Sequence, residues 1–296
     1  MMMFATLFLS VVTIAFPREG QQMPAISRCY AIGAASDGTA VPGVKSSKSG
    51  AWSTVVPVVP GTNVIAVGDC RRTIFVEAKK PAVPERRYEK LPYAGDAPKP
   101  HPHGKAPSAL TIVVDPGHGG SDTGAVSPHG LSEKDANLRL AKVVRDELRK
   151  RGFRVVMTRE DDSFPALYDR PKVAHREKAD AFISIHHNAP GYESDPSAIR
   201  YQSVYAWNPL GERLARAISG RMAAAVPELE DKGVLHANFA VTRNPEIPSC
   251  LIEADFVSSP DGEVDIWDPS RRARQAVAIA DGVLDWLKMP ANGEAR

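Results

Sequence analysis

The 296-residue chain has the composition of a soluble globular protein, because 43% of its residues are hydrophobic and 24% are charged. Its formal net charge of +2 is too small to indicate nucleic-acid binding, and the sequence has no stripe of Lys and Arg with interleaved aromatic residues. The three cysteines, Cys29, Cys70 and Cys250, are too few for a disulfide-rich scaffold and are not spaced as a metal-binding pair.

The first 16 residues form an uncharged apolar run, which Pro17, Arg18 and Glu19 follow. The run is short for a bilayer span and is typical of the core of a signal peptide. No basic residue precedes it and no small-x-small cleavage pattern follows, so an uncleaved anchor or a buried first strand are the alternatives. We assign residues 1–23 to a signal peptide or anchor and expect an exported, periplasmic or envelope protein.

Residues 24–78 alternate short β-type runs with turn residues, which predicts a small all-β domain. The predicted strands are residues 27–32, 51–59, 63–67 and 73–76. Cys29 and Cys70 lie in this domain and could pair after export. Its position suggests either a module that binds the wall or envelope or a simple spacer.

Residues 79–109 contain seven prolines mixed with charged residues and have no apolar face, which predicts a semi-extended linker. We interpret His101 and His103, within this linker, as part of a solvated tract rather than a metal site.

Residues 110–290 alternate strands with amphipathic helices, which predicts an α/β domain whose open, mostly parallel sheet has helices on both faces. The predicted strands are residues 111–114, 154–158, 181–186, 201–207, 239–242 and 250–253, and the predicted helices are residues 134–150, 168–178, 210–226 and 270–287.

Four side chains suited to metal chemistry follow these strands or open a helix. His118 lies in a glycine-rich turn after the first strand, Glu133 precedes a long helix, and His186 and Glu253 end two further strands. The carboxyl ends of such strands meet at one edge of the sheet, where open α/β sheets bind ligands. Two imidazoles and a carboxylate with one open position suit a catalytic zinc, and a further carboxylate suits a general base.

Four motifs, in order, carry a resemblance to a known family. They begin at Val114, Glu133, Ser184 and Leu251 and read VDPGHGGSDTGA, EKDANL, SIHHNA and LIEADFVS. They resemble the motifs of the zinc-dependent N-acetylmuramoyl-L-alanine amidases, the bacterial cell-wall hydrolases of the type-3 amidase family. The resemblance extends from about residue 111 to residue 287.

This resemblance implies roles for individual residues. His118, Glu133 and His186 would bind the zinc ion, and Glu253 would be the catalytic carboxylate. Asn188, just past the zinc histidine, would either hydrogen-bond the substrate or cap the end of the strand.

The chain departs from the family pattern at two positions. His187 follows His186 where relatives usually have a small residue, but successive strand residues face opposite sides, so only His186 would be in register with Ser184. Asp255 and Phe256 replace the usual Gly-Phe pair, and this extra carboxylate could alter substrate preference or pKa values near the site.

The resemblance implies hydrolysis of the amide bond between N-acetylmuramic acid and L-alanine in peptidoglycan, by a zinc-activated water with a Glu general base. One alternative is a zinc carboxypeptidase acting on the stem peptide, which would need a carboxylate-binding arginine such as Arg200 or Arg243. The other is a non-catalytic wall-binding or activator protein. Some family members insert a long helix that plugs the cleft; residues 189–200 are too short and too rich in proline for such a helix, which predicts an open cleft.

Overall fold

The computed structural model describes residues 11–36, 41, 43–79 and 101–290. Within residues 11–79, as far as they are described, seven strands form two sheets. The strands are β1 (Val12–Phe16), β2 (Gln21–Met23), β3 (Arg28–Ala35), β4 (Lys45–Ser46), β5 (Ala51–Pro57), β6 (Gly61–Val67) and β7 (Cys70–Val76). One sheet has the order β1-β3-β5-β4 and the other the order β2-β7-β6. Both sheets contribute to one core around the fully buried Trp52. We call this part of the chain, residues 11–79, the β unit.

The β unit begins earlier than the boundary predicted at residue 24. Strand β1 pairs antiparallel with β3, and β2 pairs parallel with β7. Ile14 and Met23 are buried in the shared core. The apolar run is therefore a strand from Val12 onward, because an apolar stretch of this length suits a buried strand as well as a leader peptide. Residues 1–10 of the predicted leader lie outside the described residues.

The two cysteines of the β unit are not bonded to each other. Cys29 is buried and Cys70 is half-buried, and both thiols are free. Burial raises the pKa of Cys29 to about 11. The thiol of Cys29 therefore behaves here as a small apolar group of the core.

The predicted linker is described only at its two ends, because residues 80–100 lie outside the described residues. At its C-terminal end the prediction of a solvated tract is wrong for His101. The imidazole of His101 packs edge-on against Trp286, with 5.2 Å between the ring centroids. Burial lowers the pKa of His101. A proline-rich segment can thus pack on a domain without any periodic apolar pattern.

The second domain alternates strands and helices as predicted. After a short 3-10 helix at Pro107–Ala109, its elements are β8 (Thr111–Pro116), α1 (Glu133–Lys150), β9 (Arg154–Met157), α2 (Asp169–Arg176), β10 (Ala181–Asn188), β11 (Gln202–Ala206), α3 (Pro209–Ala225), β12 (Asp231–His236), β13 (Ser249–Phe256), α4 (Pro260–Trp267) and α5 (Pro269–Lys288). In the described ranges, no helix combines the length and the apolar character needed to cross a membrane.

The sheet of this domain has the strand order β12-β11-β13-β10-β8-β9. Strands β9, β8, β10 and β13 run parallel, β11 is antiparallel to β13, and β12 is parallel to β11. The predicted open, mostly parallel sheet is confirmed. Its topology brings the carboxyl ends of β8, β10 and β13 to one edge.

Different elements pack on the two faces of the sheet. Ile183 and Ile252 pack in the main core with α1, α3 and α5. Their strand neighbours Phe182 and Leu251 pack on the other face, where α2 and the loop before β13 cover them. The predicted helices on both faces are confirmed, with the larger layer on one side.

The predicted element order of the second domain differs from the structure at three elements. Phe239 to Thr242 form a turn rather than a strand, since the backbone N–H of Thr242 donates to the carbonyl of Phe239 at 3.1 Å. Val241 is nevertheless buried against the sheet, so the apolar run marks a covering loop. Strand β12 and helix α4 had no predicted counterpart.

The β unit contacts the second domain through the segment that follows β10. The backbone N–H of Tyr30 donates to the carbonyl of Tyr192 at 2.8 Å, and that of Ser27 donates to the Glu193 carboxylate at 3.0 Å. Residues 189–200 form no helix, as predicted. This segment therefore joins the two parts of the chain instead of forming a plug.

Candidate metal centre and catalytic cleft

His118 lies in the glycine-rich turn that ends β8. Its backbone is left-handed, with a φ of 60°, a region that residues other than glycine seldom adopt. Gly117, immediately before it, approaches His186 so closely that a Cβ atom there would lie 2.1 Å from Cε1 and Nε2 of that imidazole. A glycine is needed here because any Cβ atom would overlap the His186 ring. The imidazoles of His118 and His186 approach edge to face, with 5.0 Å between their centroids.

Glu133 is the first residue of α1 and is buried. Its Oε2 atom accepts a hydrogen bond from the backbone N–H of Ala125 at 3.0 Å. Burial opposes its charge, but hydrogen bonds from His118 and His186 hold the pKa of this carboxyl well below its usual range. The helix N-terminus also favours a negative charge at this position. Glu133 is thus an oriented, ionised carboxylate.

His186 and His187 end β10 and face opposite sides. The Nδ1 atom of His186 lies 2.9 Å from Oε1 of Glu133. His187 turns toward α1 instead, where its Nδ1 atom lies 2.8 Å from Oδ1 of Asn137. Burial lowers the pKa of His187 to about 4, so this imidazole is neutral at neutral pH. Of the two histidines, the structure brings only His186 to the candidate metal centre.

His118, Glu133 and His186 converge on one point. The Nε2 atom of His118 lies 3.1 Å from Oε1 of Glu133, and one candidate ligand atom from each of the three residues lies within 4.8 Å of the others. Two imidazoles and one carboxylate form a donor set that zinc prefers, and a tetrahedral zinc would keep one position for water or substrate. The donor chemistry and the spacing of these residues fit a catalytic zinc ion.

Asp122 orients His118 and had no role in the sequence prediction, although it lies within the first motif. Its Oδ2 atom is 2.8 Å from Nδ1 of His118. A proton on Nδ1 leaves Nε2 free to act as a ligand, the usual arrangement for a metal-binding histidine. Burial lowers the pKa of His118, but the hydrogen bonds and charges of Glu133 and Asp122 outweigh it and raise this pKa to about 9.

Three further side chains that sequence reasoning did not identify hold the turn in place. Arg159 donates to the carbonyl of Gly117 at 2.8 Å, and Arg170 donates to that of His118 at 2.7 Å. Asn137, one helical turn after Glu133, also donates to the Gly117 carbonyl, at 3.3 Å. Of these three residues, the sequence could have indicated only Asn137, through its i, i+4 spacing from Glu133. Arg159 and Arg170 are isolated in the sequence and belong to no pattern.

Glu253 lies beside His186, because these two residues are register partners in β10 and β13. Among the described residues, its Oε2 atom is buried without a hydrogen-bond partner. Burial, followed by the negative charge of Glu133, raises the pKa of Glu253 well above its usual range. A carboxyl group that binds a proton more readily than usual is suited to moving protons in catalysis.

These side chains open into a cleft of about 430 Å³. His118, His186 and Glu253 lie in its wall, and Phe164 and Phe239 add apolar surface. A volume of this size lies within the range of small-molecule sites. The candidate metal centre is therefore accessible to a substrate.

Two other residues singled out in the sequence lie away from the cleft wall. The side chain of Asn188 accepts a hydrogen bond from the backbone N–H of Ala189 at 2.8 Å, which is the strand-capping alternative. Its substrate-binding role stays a prediction. Asp255 is buried and pairs with Arg200 at 2.7 Å and with Arg271 at 2.9 Å. The charge of Asp255 is balanced within this ion-pair cluster, and an effect on substrate preference stays a prediction.

Comparison with known proteins gives a consistent result. The model of the Amidase_3 family, described as N-acetylmuramoyl-L-alanine amidase, matches residues 112–285. The amidase AmiA of Escherichia coli K12 is 30% identical over 237 residues, which cover 64% of this chain and 81% of AmiA. LytC of Bacillus subtilis, also an N-acetylmuramoyl-L-alanine amidase, is 34% identical over 178 residues, which cover 60% of this chain and 36% of LytC.

Solved structures agree with the sequence matches. The amidase AmiC2 of Nostoc punctiforme superimposes with a TM-score of 0.57 at 33% identity, covering 61% of this chain and 98% of the AmiC2 chain. The catalytic domain of CwlV from Paenibacillus polymyxa gives the same TM-score at 35% identity, covering 60% of this chain and 98% of its own.

Proposed function

The chain belongs to the Amidase_3 family of N-acetylmuramoyl-L-alanine amidases, whose model matches residues 112–285, and we propose that it uses zinc to hydrolyse the amide bond between N-acetylmuramic acid and L-alanine in peptidoglycan. The observation that carries this proposal is the convergence of His118, Glu133 and His186 beside Glu253 at one edge of the sheet. A metal site and a proton-accepting carboxyl share one cleft.

Each side chain has a task in this mechanism. His118, Glu133 and His186 would hold the zinc ion, which supplies Lewis acidity that polarises the scissile carbonyl and lowers the pKa of a water toward about 7. In its carboxylate form Glu253 accepts a proton from the attacking water, and burial makes this carboxylate a stronger base than a solvated one because it raises the pKa of the group. Glu253 then returns this proton to the departing nitrogen, because an amine leaves more readily than an amide anion.

Two observations bear on the alternative functions. A carboxypeptidase would need a free arginine in the cleft, but Arg170 is the only arginine among the described residues of the cleft wall, and it donates to Asp115 and to two carbonyl oxygens. Of the two candidate arginines, Arg200 is paired with Asp255, and Arg243 is not among the described residues of the cleft wall. A non-catalytic relative would be expected to lack a ligand or the base, whereas all four are present.

The substrate places the site of action outside the cytoplasm. Peptidoglycan lies in the cell envelope, so we propose that the protein is exported and acts there. The β unit would accompany the catalytic domain to the wall.

The test of this function is zinc-dependent wall hydrolysis by the purified full-length chain. Chelation should abolish the release of soluble peptide from sacculi, and one equivalent of zinc per chain should restore it. A matched Glu133→Gln variant should bind zinc poorly and stay inactive after zinc addition. Full activity of the metal-free protein would overturn the proposal.

A further inference from the structure

A second cavity, of about 630 Å³, lies between the β unit and the catalytic domain. The β unit contributes Phe16, Arg18 and Tyr30 to its wall, and the catalytic domain contributes Gly124 and Tyr192. Among the residues that the structure describes, it shares no wall residue with the catalytic cleft. The cavity exists only because the β unit is docked on the segment after β10.

This cavity reaches the back of the metal centre. A Cβ atom on Gly124 would lie 2.5 Å from Oε2 of Glu133 and 2.8 Å from Cδ2 of His118. Gly124, in the wall of the cavity, is therefore in direct contact with the residues of the metal centre. A substrate whose scissile amide sits at the metal has one part on each side of that bond, so one part can extend into the cleft and the other into the cavity.

The wall of the cavity has aromatic surface. The ring of Phe16 stacks on Tyr30, with 4.6 Å between centroids, and on Tyr192, with 5.9 Å between centroids and an interplanar angle of 3°. Tyr192 is 40% exposed. Phe16 thus holds the Tyr192 ring in place, and the exposed part of that ring suits the C–H-rich face of a pyranose, because one side of the sugar is apolar and its rim is polar.

The polar groups of the cavity suit a neutral ligand. The exposed Arg18 is held by a hydrogen bond to Thr123 at 2.7 Å, and Glu19 and Gln21 add acceptor oxygens nearby. Arg18 and Glu19 carry opposite charges, so this part of the wall has no net charge. Hydroxyl and N-acetyl groups need both donors and acceptors, whereas the carboxylates of a stem peptide would need an excess of positive charge.

We infer that the cavity is a glycan subsite, in which the β unit and the catalytic domain together bind sugar residues of the strand that carries the scissile amide. This inference rests on the proposed function. It gives the β unit a direct part in substrate binding. Arg18 of the β unit is the hydrogen-bond donor, and Tyr192 of the catalytic domain is the ring on which the sugar stacks.

The first test compares two substrates on the zinc-loaded full-length protein. One is a muramoyl peptide with a single sugar, and the other carries the same peptide on a glycan of four sugars. Tyr192→Ala and Arg18→Ala should each raise KM for the long substrate by about three- to tenfold. The kcat for both substrates and the KM for the short one should stay unchanged. Phe75→Ala and Arg71→Ala, at exposed positions of the β unit outside the cavity wall, are the matched controls.

The second test does not need hydrolysis. A peptide-free tetrasaccharide of alternating N-acetylglucosamine and N-acetylmuramic acid, with each lactyl carboxyl blocked as an amide so that the ligand is neutral, should bind the metal-free wild-type chain, with a weaker Kd for Tyr192→Ala and Arg18→Ala but not for the controls. No detectable binding to the wild type, or equal binding by the variants, would overturn the subsite. A KM effect that followed peptide length instead of glycan length would also overturn it. Wild-type protein that hydrolyses neither substrate would instead refute the proposed function.

Discussion

Replacing Gly117 with alanine should remove the metal without disturbing the fold. The new Cβ atom would lie 2.1 Å from two atoms of the His186 imidazole. Carbon atoms in ordinary contact are about 3.5 Å apart, so the ring would have to retreat by about 1.4 Å. Zinc–nitrogen bonds are about 2.0–2.1 Å long and tolerate only a few tenths of an ångström, so His186 would cease to be a ligand.

The backbone of Gly117 lies outside the left-handed region, so alanine adds no backbone strain there. We expect substoichiometric zinc by elemental analysis and a loss of wall hydrolysis of about 100-fold or more. Gly220→Ala, in an exposed part of α3 where, among the described residues, nothing beyond its chain neighbours and the backbone of its own helix lies within 4 Å of the new Cβ, should keep zinc and activity and unfold at a slightly higher temperature. One zinc per chain and a rate within twofold of wild type in Gly117→Ala would refute the packing argument.

Three more predictions follow from the same geometry. Glu253→Gln should keep its zinc but lose about two to four orders of magnitude in kcat, because the base is not a ligand; loss of zinc would move Glu253 into the ligand set. His186→Ala should lose zinc by metal analysis. His187→Ala should keep zinc and lose about 1–3 kcal/mol of unfolding free energy in a denaturant titration, since Asn137 loses a buried partner. Loss of zinc in His187→Ala but not in His186→Ala would contradict the assignment of His186. Zinc affinity measured by competition should rise with pH up to about 9, because His118, with its pKa raised to about 9, must lose a proton to bind metal; a flat profile below pH 9 would contradict this.

The strands at the centre of the sheet could be predicted from the sequence because each is a short apolar run that a polar or glycine residue follows. The alternation of side chains along β10 was enough to separate His186 from His187. Family resemblance then assigned the ligands that spacing alone could only suggest. The structure adds the buried partners, such as Arg159, whose contacts with the turn depend on the three-dimensional path of the chain.

The errors have physical causes. Val241 is apolar because it covers the sheet, whereas Phe239 lies in the cleft wall, and such a loop has the same composition as a short buried strand. Strand β12 was missed because it lies at the edge of the sheet, with Asp231, Lys232 and His236 exposed and a left-handed glycine between them. An edge strand of this kind has no continuous apolar signal.

The identity of the bond that is cleaved tests the account most directly. Zinc-loaded full-length protein would be incubated with a disaccharide–tetrapeptide muropeptide, and the products would be identified by mass spectrometry. We expect a free tetrapeptide that begins with L-alanine, together with a disaccharide that keeps its lactyl carboxylate, and no reaction after chelation. Release of a single C-terminal amino acid, with the amide to N-acetylmuramic acid intact, would contradict it.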